Sequence, residues 1–200
     1  LTASPHGGIA QVCLNTIKQA QNHPDIAATA YFRDGDASFA KFDKTPVRKC
    51  GVFSGVIGPR YDIAHSLCHR TLKVIADRNI YTVHDVWSLY PNRYQSPGFQ
   101  KKVGDRLKRD ILKADFVVTI SEATRKSLLS LDLIPPEKCA AVHLGCETNI
   151  DMALSTNPAV LNLTGKKYVL YVGCLEVRKN IGHVIDAVMP LSNVDLILVG

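Results

Sequence analysis

A chain of 200 residues with 46% apolar content can bury a substantial core, and its length lies near the boundary between one domain and two. The net charge of +6 favours anionic partners (phosphates, acidic lipid, nucleic acid) without choosing among them. Six cysteines, at 13, 50, 68, 139, 146 and 174, form no C-x-x-C and no Cys/His cluster, which argues against a zinc site and a disulfide framework and fits reduced thiols in a cytoplasm.

The chain opens on LTASPHGG, a loop, and closes on VDLILVG, a strand-like run, so it is expected to be an excerpt of a larger protein. Ile9, Val12, Cys13, Ile17 and Ala20 recur at helical spacing and predict a helix that begins at Gly7-Gly8. Two glycines there let the backbone approach a ligand and leave N–H groups for an anion; a helix start with no ligand fits the same residues. The stretch is neither G-x-G-x-x-G nor a P-loop. Asp34-Gly35-Asp36 has a spacing that can hold Mg²⁺ or Mn²⁺ against phosphates. It lies in the polar run RDGDASFAK, and Asp-Gly is a turn signature, so a turn and no metal are expected.

Apolar runs at 27–32, 62–65, 80–84, 115–120, 139–144, 168–172 and 194–199 alternate with helical or turn-rich segments, the pattern of a parallel α/β sheet with buried strands. The third run ends in Tyr81-Thr-Val-His84-Asp85-Val-Trp87. Ligands gather at the carboxyl ends of such strands, and an imidazole there can donate a hydrogen bond or move a proton; a structural histidine is the other reading. A helix is predicted over 100–114, with Lys102, Arg106, Arg109 and Lys113 on one stripe and Val103, Leu107, Ile111 and Ala114 on its neighbour. The basic stripe suits anionic headgroups or a solvated face. No apolar stretch reaches bilayer length, so membrane contact is expected to be peripheral.

Residues 145–166, rich in Asn, Thr and Gly, mark a boundary. One α/β domain is predicted over 1–150, a linker over 151–166 and the start of a second domain over 167–200, with a helix at 181–190. In YVLYVGCLEVRKN a strand stops at Gly173 and releases Arg178 and Lys179 ahead of that helix. Helix N-terminal N–H groups and two cations suit a phosphate or diphosphate. A solvated helix start is the alternative, although cations are unfavourable beside the positive dipole end. No Ser-His-Asp set, H-E-x-x-H helix or aromatic-interleaved basic run is present, so no nucleic-acid partner is expected.

In order, GGIA, TVHDVWSLYP, ADFVVTISEATRKSLL, VHLGCE and YVLYVGCLEVRKNI resemble the motifs of the retaining GT-B glycosyltransferases of family 4 (glycosyl transferases group 1). The V-H-D and R-K-N pieces are most similar to bacterial mannosyltransferases of surface-polysaccharide assembly. The resemblance implies two Rossmann-like domains, the first nearly complete but lacking its first strand and the second only begun. It implies transfer of a hexose, GDP-mannose being the first donor to consider, to a saccharide or lipid-linked saccharide in the cytoplasm at the inner membrane face. No metal or cofactor is implied. Gly7 and Gly8 match the loop that approaches the donor phosphate, His84 the histidine facing the donor sugar, and Arg178 and Lys179 the pair that holds the diphosphate. Asp85, Tyr90 and Arg93 fall where the acceptor side begins. Cys174 stands where many relatives have Arg, and the family's acidic E-x₇-E segment is expected beyond Gly200, so the excerpt alone is expected to be inactive. A partner-dependent or non-catalytic half and a GT-B sugar epimerase are the other readings.

Overall fold

The computed structural model describes residues 7–32, 42, 44–51, 53–68, 71–145, 163 and 165–200. The chain divides into two compact units, residues 1–145 and 146–200. Every strand pairing among the described residues is parallel.

In the first unit, α1 (Gly8–Asn22) starts where the glycines predict it, with Gly7 at the N-cap. Its Leu14 and Ile17 pack on Ala30 and Phe32 of β1 (Ala30–Phe32), which pairs with β2 (Val47–Lys49). A separate four-stranded sheet runs β3 (Arg60–Ser66), β4 (Ile75–Val83), β5 (Phe116–Thr119) and β6 (Cys139–Ala141), in that order. Its core joins Tyr81 and Val83 of β4 to Val117 of β5 and Cys139 of β6. Ile111 of α2 (Pro97–Leu112) and Leu128 of α3 (Glu122–Leu129) close that core. The result is an α/β fold, a parallel sheet flanked by helices and compatible with a Rossmann-like domain.

Local chemistry sets the element ends. Ser121 caps α3 by accepting from the Thr124 N–H at 3.1 Å, with Glu122 in the first turn and Lys126 in the last, matching the helix dipole. At the start of β5, the Asp115 carboxylate accepts from the Asn79 N–H at 2.8 Å while the Asp115 N–H donates back to the Asn79 carbonyl at 2.9 Å. That exchange, with Arg78 3.6 Å from the same carboxylate, holds the Asp115 carboxyl below its ordinary range. Helix α2 begins three residues before the predicted start, because Pro97 suits the first helical position, where its missing N–H has no partner to lose.

In the second unit, β7 (Lys167–Val172) pairs with β8 (Val194–Val199) from Lys167↔Val194 to Val172↔Val199. Helix α4 (Ile181–Val188) connects them, two residues shorter than predicted. The prediction of buried strands is not met here: Tyr168, Leu170 and Val172 are exposed, and among the described residues of this unit a two-stranded sheet and one helix are all that packs together. The strand ends meet closely, the Gly173 N–H donating to the Val199 carbonyl at 2.7 Å. A Cβ on Gly200 would collide with the Gly173 carbonyl oxygen, so only glycine fits there. Among the described residues no helix is long and apolar enough to cross a membrane.

Candidate functional site

The carboxyl end of β4 delivers His84 to the edge of a cleft. His84 is buried, and its Nε2 lies 2.8 Å from the carbonyl oxygen of Leu67, just after β3. A carbonyl only accepts, so Nε2 carries the proton and the ring orientation is fixed. The same Leu67 oxygen accepts from the Cys13 thiol of α1 at 3.5 Å, which ties the glycine-led helix to the histidine through one backbone atom. On its other side, the His84 carbonyl accepts from Thr124 Oγ1 at 3.5 Å, in the first turn of α3. Three elements thereby position one side chain.

Beside His84 lies a cavity of about 290 Å³, lined among others by Tyr81, Asp85, Trp87, Gln95 and Arg106. The Tyr81 hydroxyl has its pKa pushed up by burial and, secondarily, by the neighbouring Asp110 carboxylate. It is a neutral hydrogen-bonding group at any physiological pH. Asp85 and Arg106 bring opposite charges to the wall, and Trp87 brings an aromatic face. A wall that combines acceptor, donor and ring suits a polyhydroxylated ligand better than a purely apolar one.

Sequence reasoning placed eight residues near the chemistry, and the structure distributes them. Of the acceptor-side set, Asp85 alone lines the cleft. The Tyr90 hydroxyl donates to the Ser127 carbonyl at 3.1 Å, fastening the 84–96 segment to α3. The Arg93 guanidinium lies 5.3 Å from the Tyr94 ring centre, a cation–π contact within that segment. Arg106, read as part of the basic stripe, turns into the cleft wall, whereas Lys102, Arg109 and Lys113 are exposed. Trp87, Gln95 and Arg106 were not read as cleft residues. Trp87 follows the His84-Asp85 pair closely enough to have been found, but nothing in the sequence marks Gln95.

At the start of α1, Gly7 offers no side-chain cap and no acidic side chain occupies the first turn. A Cβ at Gly8 would meet nothing within 4 Å, so internal packing does not require glycine there.

In the second unit, Arg178 and Lys179 lie in a 3-10 turn, Val177–Lys179, which ends at Asn180 in a left-handed conformation with φ of 54° before α4 begins. The Arg178 Nη2 is 2.9 Å from Glu176 Oε2, and both side chains are substantially exposed. Solvent screens such a pair, and a more highly charged anion can compete for the guanidinium. Tyr171 donates its hydroxyl to the Cys174 carbonyl at 3.0 Å and braces the loop.

Asp34 and Asp36 lie outside the described residues. Among the described residues no group of three or more His, Cys, Asp or Glu is placed to hold a metal ion. No protein-family model matches the chain, and no curated protein matches it either.

Proposed function

We propose that this chain serves glycosyl transfer: a retaining, metal-independent movement of a hexose, mannose from GDP-mannose first, from a nucleotide sugar to a saccharide or lipid-linked saccharide. The observation that carries this reading is the cleft at the carboxyl end of β4, where a rigidly held histidine, a carboxylate, a guanidinium and an indole converge on a space of about 290 Å³. The order of motifs in the sequence supports the class, and the parallel sheet supports a Rossmann-like unit that in this reading is one half of a GT-B enzyme. Lys102, Arg109 and Lys113, exposed on α2, supply the peripheral contact with anionic lipid that this reading includes.

The chemistry follows from charge. As the glycosidic bond breaks, negative charge grows on the departing diphosphate, and cations fixed beside it stabilise the transition state more than the ground state. Arg178 and Lys179 take that role. The acceptor hydroxyl attacks from the face the diphosphate leaves, and a phosphate oxygen of the leaving group takes its proton, so no side chain has to act as base. His84 contributes position: its ring, anchored at Nε2, forms a fixed polar wall beside the sugar.

Calorimetric titration of the protein with GDP, UDP and ADP, with and without Mg²⁺, tests the proposal against an Arg178→Ala/Lys179→Ala double variant. One nucleotide should bind, binding should survive removal of the metal, and the double variant should weaken it about 100-fold, two charge-assisted contacts being lost. Absence of binding to all three nucleotides overturns the assignment.

A further inference from the structure

Gln95 lies in the segment that joins the Trp87–Leu89 turn to α2, and its Oε1 is the one buried side-chain nitrogen or oxygen among the described residues without a hydrogen-bond partner. Buried acceptors are nearly always paired, because an unpaired one forfeits its hydration without compensation. The neighbouring amides are all used to build the segment. Asn92 Nδ2 donates to the Trp87 and Tyr90 carbonyls at 3.3 and 3.2 Å, and Asn92 Oδ1 accepts from the Tyr94 N–H at 3.2 Å. The Gln100 amide donates to the Tyr90 carbonyl. Gln95 is the exception, and it is also the one of these three amides that lines the His84 cavity.

The cavity states what would pair with it. Around Gln95 stand Trp87, Phe99 and Tyr81, whose ring surfaces suit C–H faces, and Asp85, His84 and Arg106, whose polar groups suit hydroxyls. A space of about 290 Å³ falls at the lower limit of small-molecule sites and fits a single sugar ring better than a whole nucleotide sugar. We propose that Gln95 determines saccharide specificity, its Oε1 accepting a hydrogen bond from a ring hydroxyl of a sugar seated beside His84. The inference rests on reading this cleft as a sugar site and adds a residue that neither the motifs nor the charge pattern indicates.

Trp87 is the only tryptophan of the chain, and it lines the cavity, so its fluorescence reads this site directly. The protein is titrated with the methyl pyranosides of mannose, glucose, galactose and N-acetylglucosamine, alongside Gln95→Met, which keeps length and removes the acceptor, and Gln95→Glu, which keeps an acceptor. Wild type should give a saturable response with a preference among the four sugars. Gln95→Met should bind about 10-fold more weakly with a narrowed preference, and Gln95→Glu should retain affinity. The melting temperature of Gln95→Met should be unchanged or raised, by up to roughly 6 °C, because an unpaired buried acceptor has been removed.

A Gln95→Met protein that binds as wild type does, or one whose melting temperature falls as its binding is lost, overturns the proposal. So does a wild type with no saturable response to any of the four sugars up to tens of millimolar. The nucleotide titration is independent of these readings. Gln95-dependent sugar binding without nucleotide binding sinks the transferase reading alone, and nucleotide binding with Gln95-independent sugar binding sinks this inference alone.

Discussion

Two histidines, one on β3 and one just past the end of β4, show how local partners assign different tasks to one side-chain type. His84 spends Nε2 on a backbone carbonyl, while His65 on β3 places its Nε2 2.8 Å from the Thr82 hydroxyl of β4. Burial lowers the His65 pKa below its ordinary value of 6.5. The folded protein therefore keeps this ring neutral at a pH where the unfolded chain already binds a proton. Its contribution to stability is present above about pH 6.5 and is lost as the pH falls toward the depressed folded value. Thermal melts between about pH 7 and pH 5 should show stability declining with acidity, and His65→Gln, which can still reach Thr82 but does not titrate, should flatten that slope. An unchanged slope would assign the acid sensitivity to another group. At this scale the sequence displayed His84, because a polar residue ending an apolar run is conspicuous, but concealed Gln95. An unpaired acceptor is a fact about the folding of the 84–96 segment, and composition carries no trace of it.

Helix α2 sets the far wall of the cleft, and one glycine governs how closely it approaches. A Cβ on Gly104 would sit 2.8 Å from the Ser88 carbonyl oxygen, in the turn that follows His84. A backbone oxygen cannot swing aside as a side-chain tip can, so Gly104→Ala has to displace the helix or the turn. Overpacking of this kind costs about 1–3 kcal/mol, which exceeds the gain of up to about 1 kcal/mol from the better helix former. Gly98, in the first turn of the same helix, has nothing within 4 Å of its would-be Cβ. Urea unfolding should therefore show Gly104→Ala less stable by about 1–2 kcal/mol and Gly98→Ala equal to or slightly above wild type. Stabilisation in both variants would mean that α2 does not meet the turn as tightly as described. The element-level reading of the sequence succeeded where apolar runs were continuous, since each of the seven predicted runs overlaps a strand. It missed β2, whose Val47-Arg48-Lys49 is wholly exposed and owes its conformation to pairing with β1, a long-range fact. The early start of α2 escaped for a different reason: Pro97 and Gly98 carry turn signals that a first helical turn also accepts.

The two units differ in how much apolar surface they bury, and that difference predicts where the molecule opens first. In residues 1–145, Tyr81, Val83, Val117 and Leu128 are almost fully buried in one cluster drawn from a central pair of strands and a helix. In residues 146–200, Leu170, Val172 and Val199 are each at least half exposed, so opening β7 from β8 uncovers little that is not already in water. Local opening free energy tracks buried apolar contact, and amide exchange reports that energy site by site. The amides of Tyr81–Val83 and Val117–Thr119 should exchange slowest, with those of Val169–Val172 faster by roughly 100-fold or more. The thiols give a second readout of the same ordering. Cys174 is exposed, Cys139 is buried with its pKa pushed up by that burial, and Cys13 is raised by its Cys68 neighbour and by burial, so maleimide should reach Cys174 well before either. Equal protection of the two strand pairs, or early labelling of Cys139, would contradict the energetic division. If the ordering holds, His84 and its cleft stand on the rigid part of the molecule, as the proposed sugar site requires. Arg178 and Lys179 then stand on the part that opens readily. Under the proposed transfer reaction that placement has a use: a diphosphate bound to those cations stabilises the looser unit by mass action, so amide protection of β7 should rise when nucleotide is added.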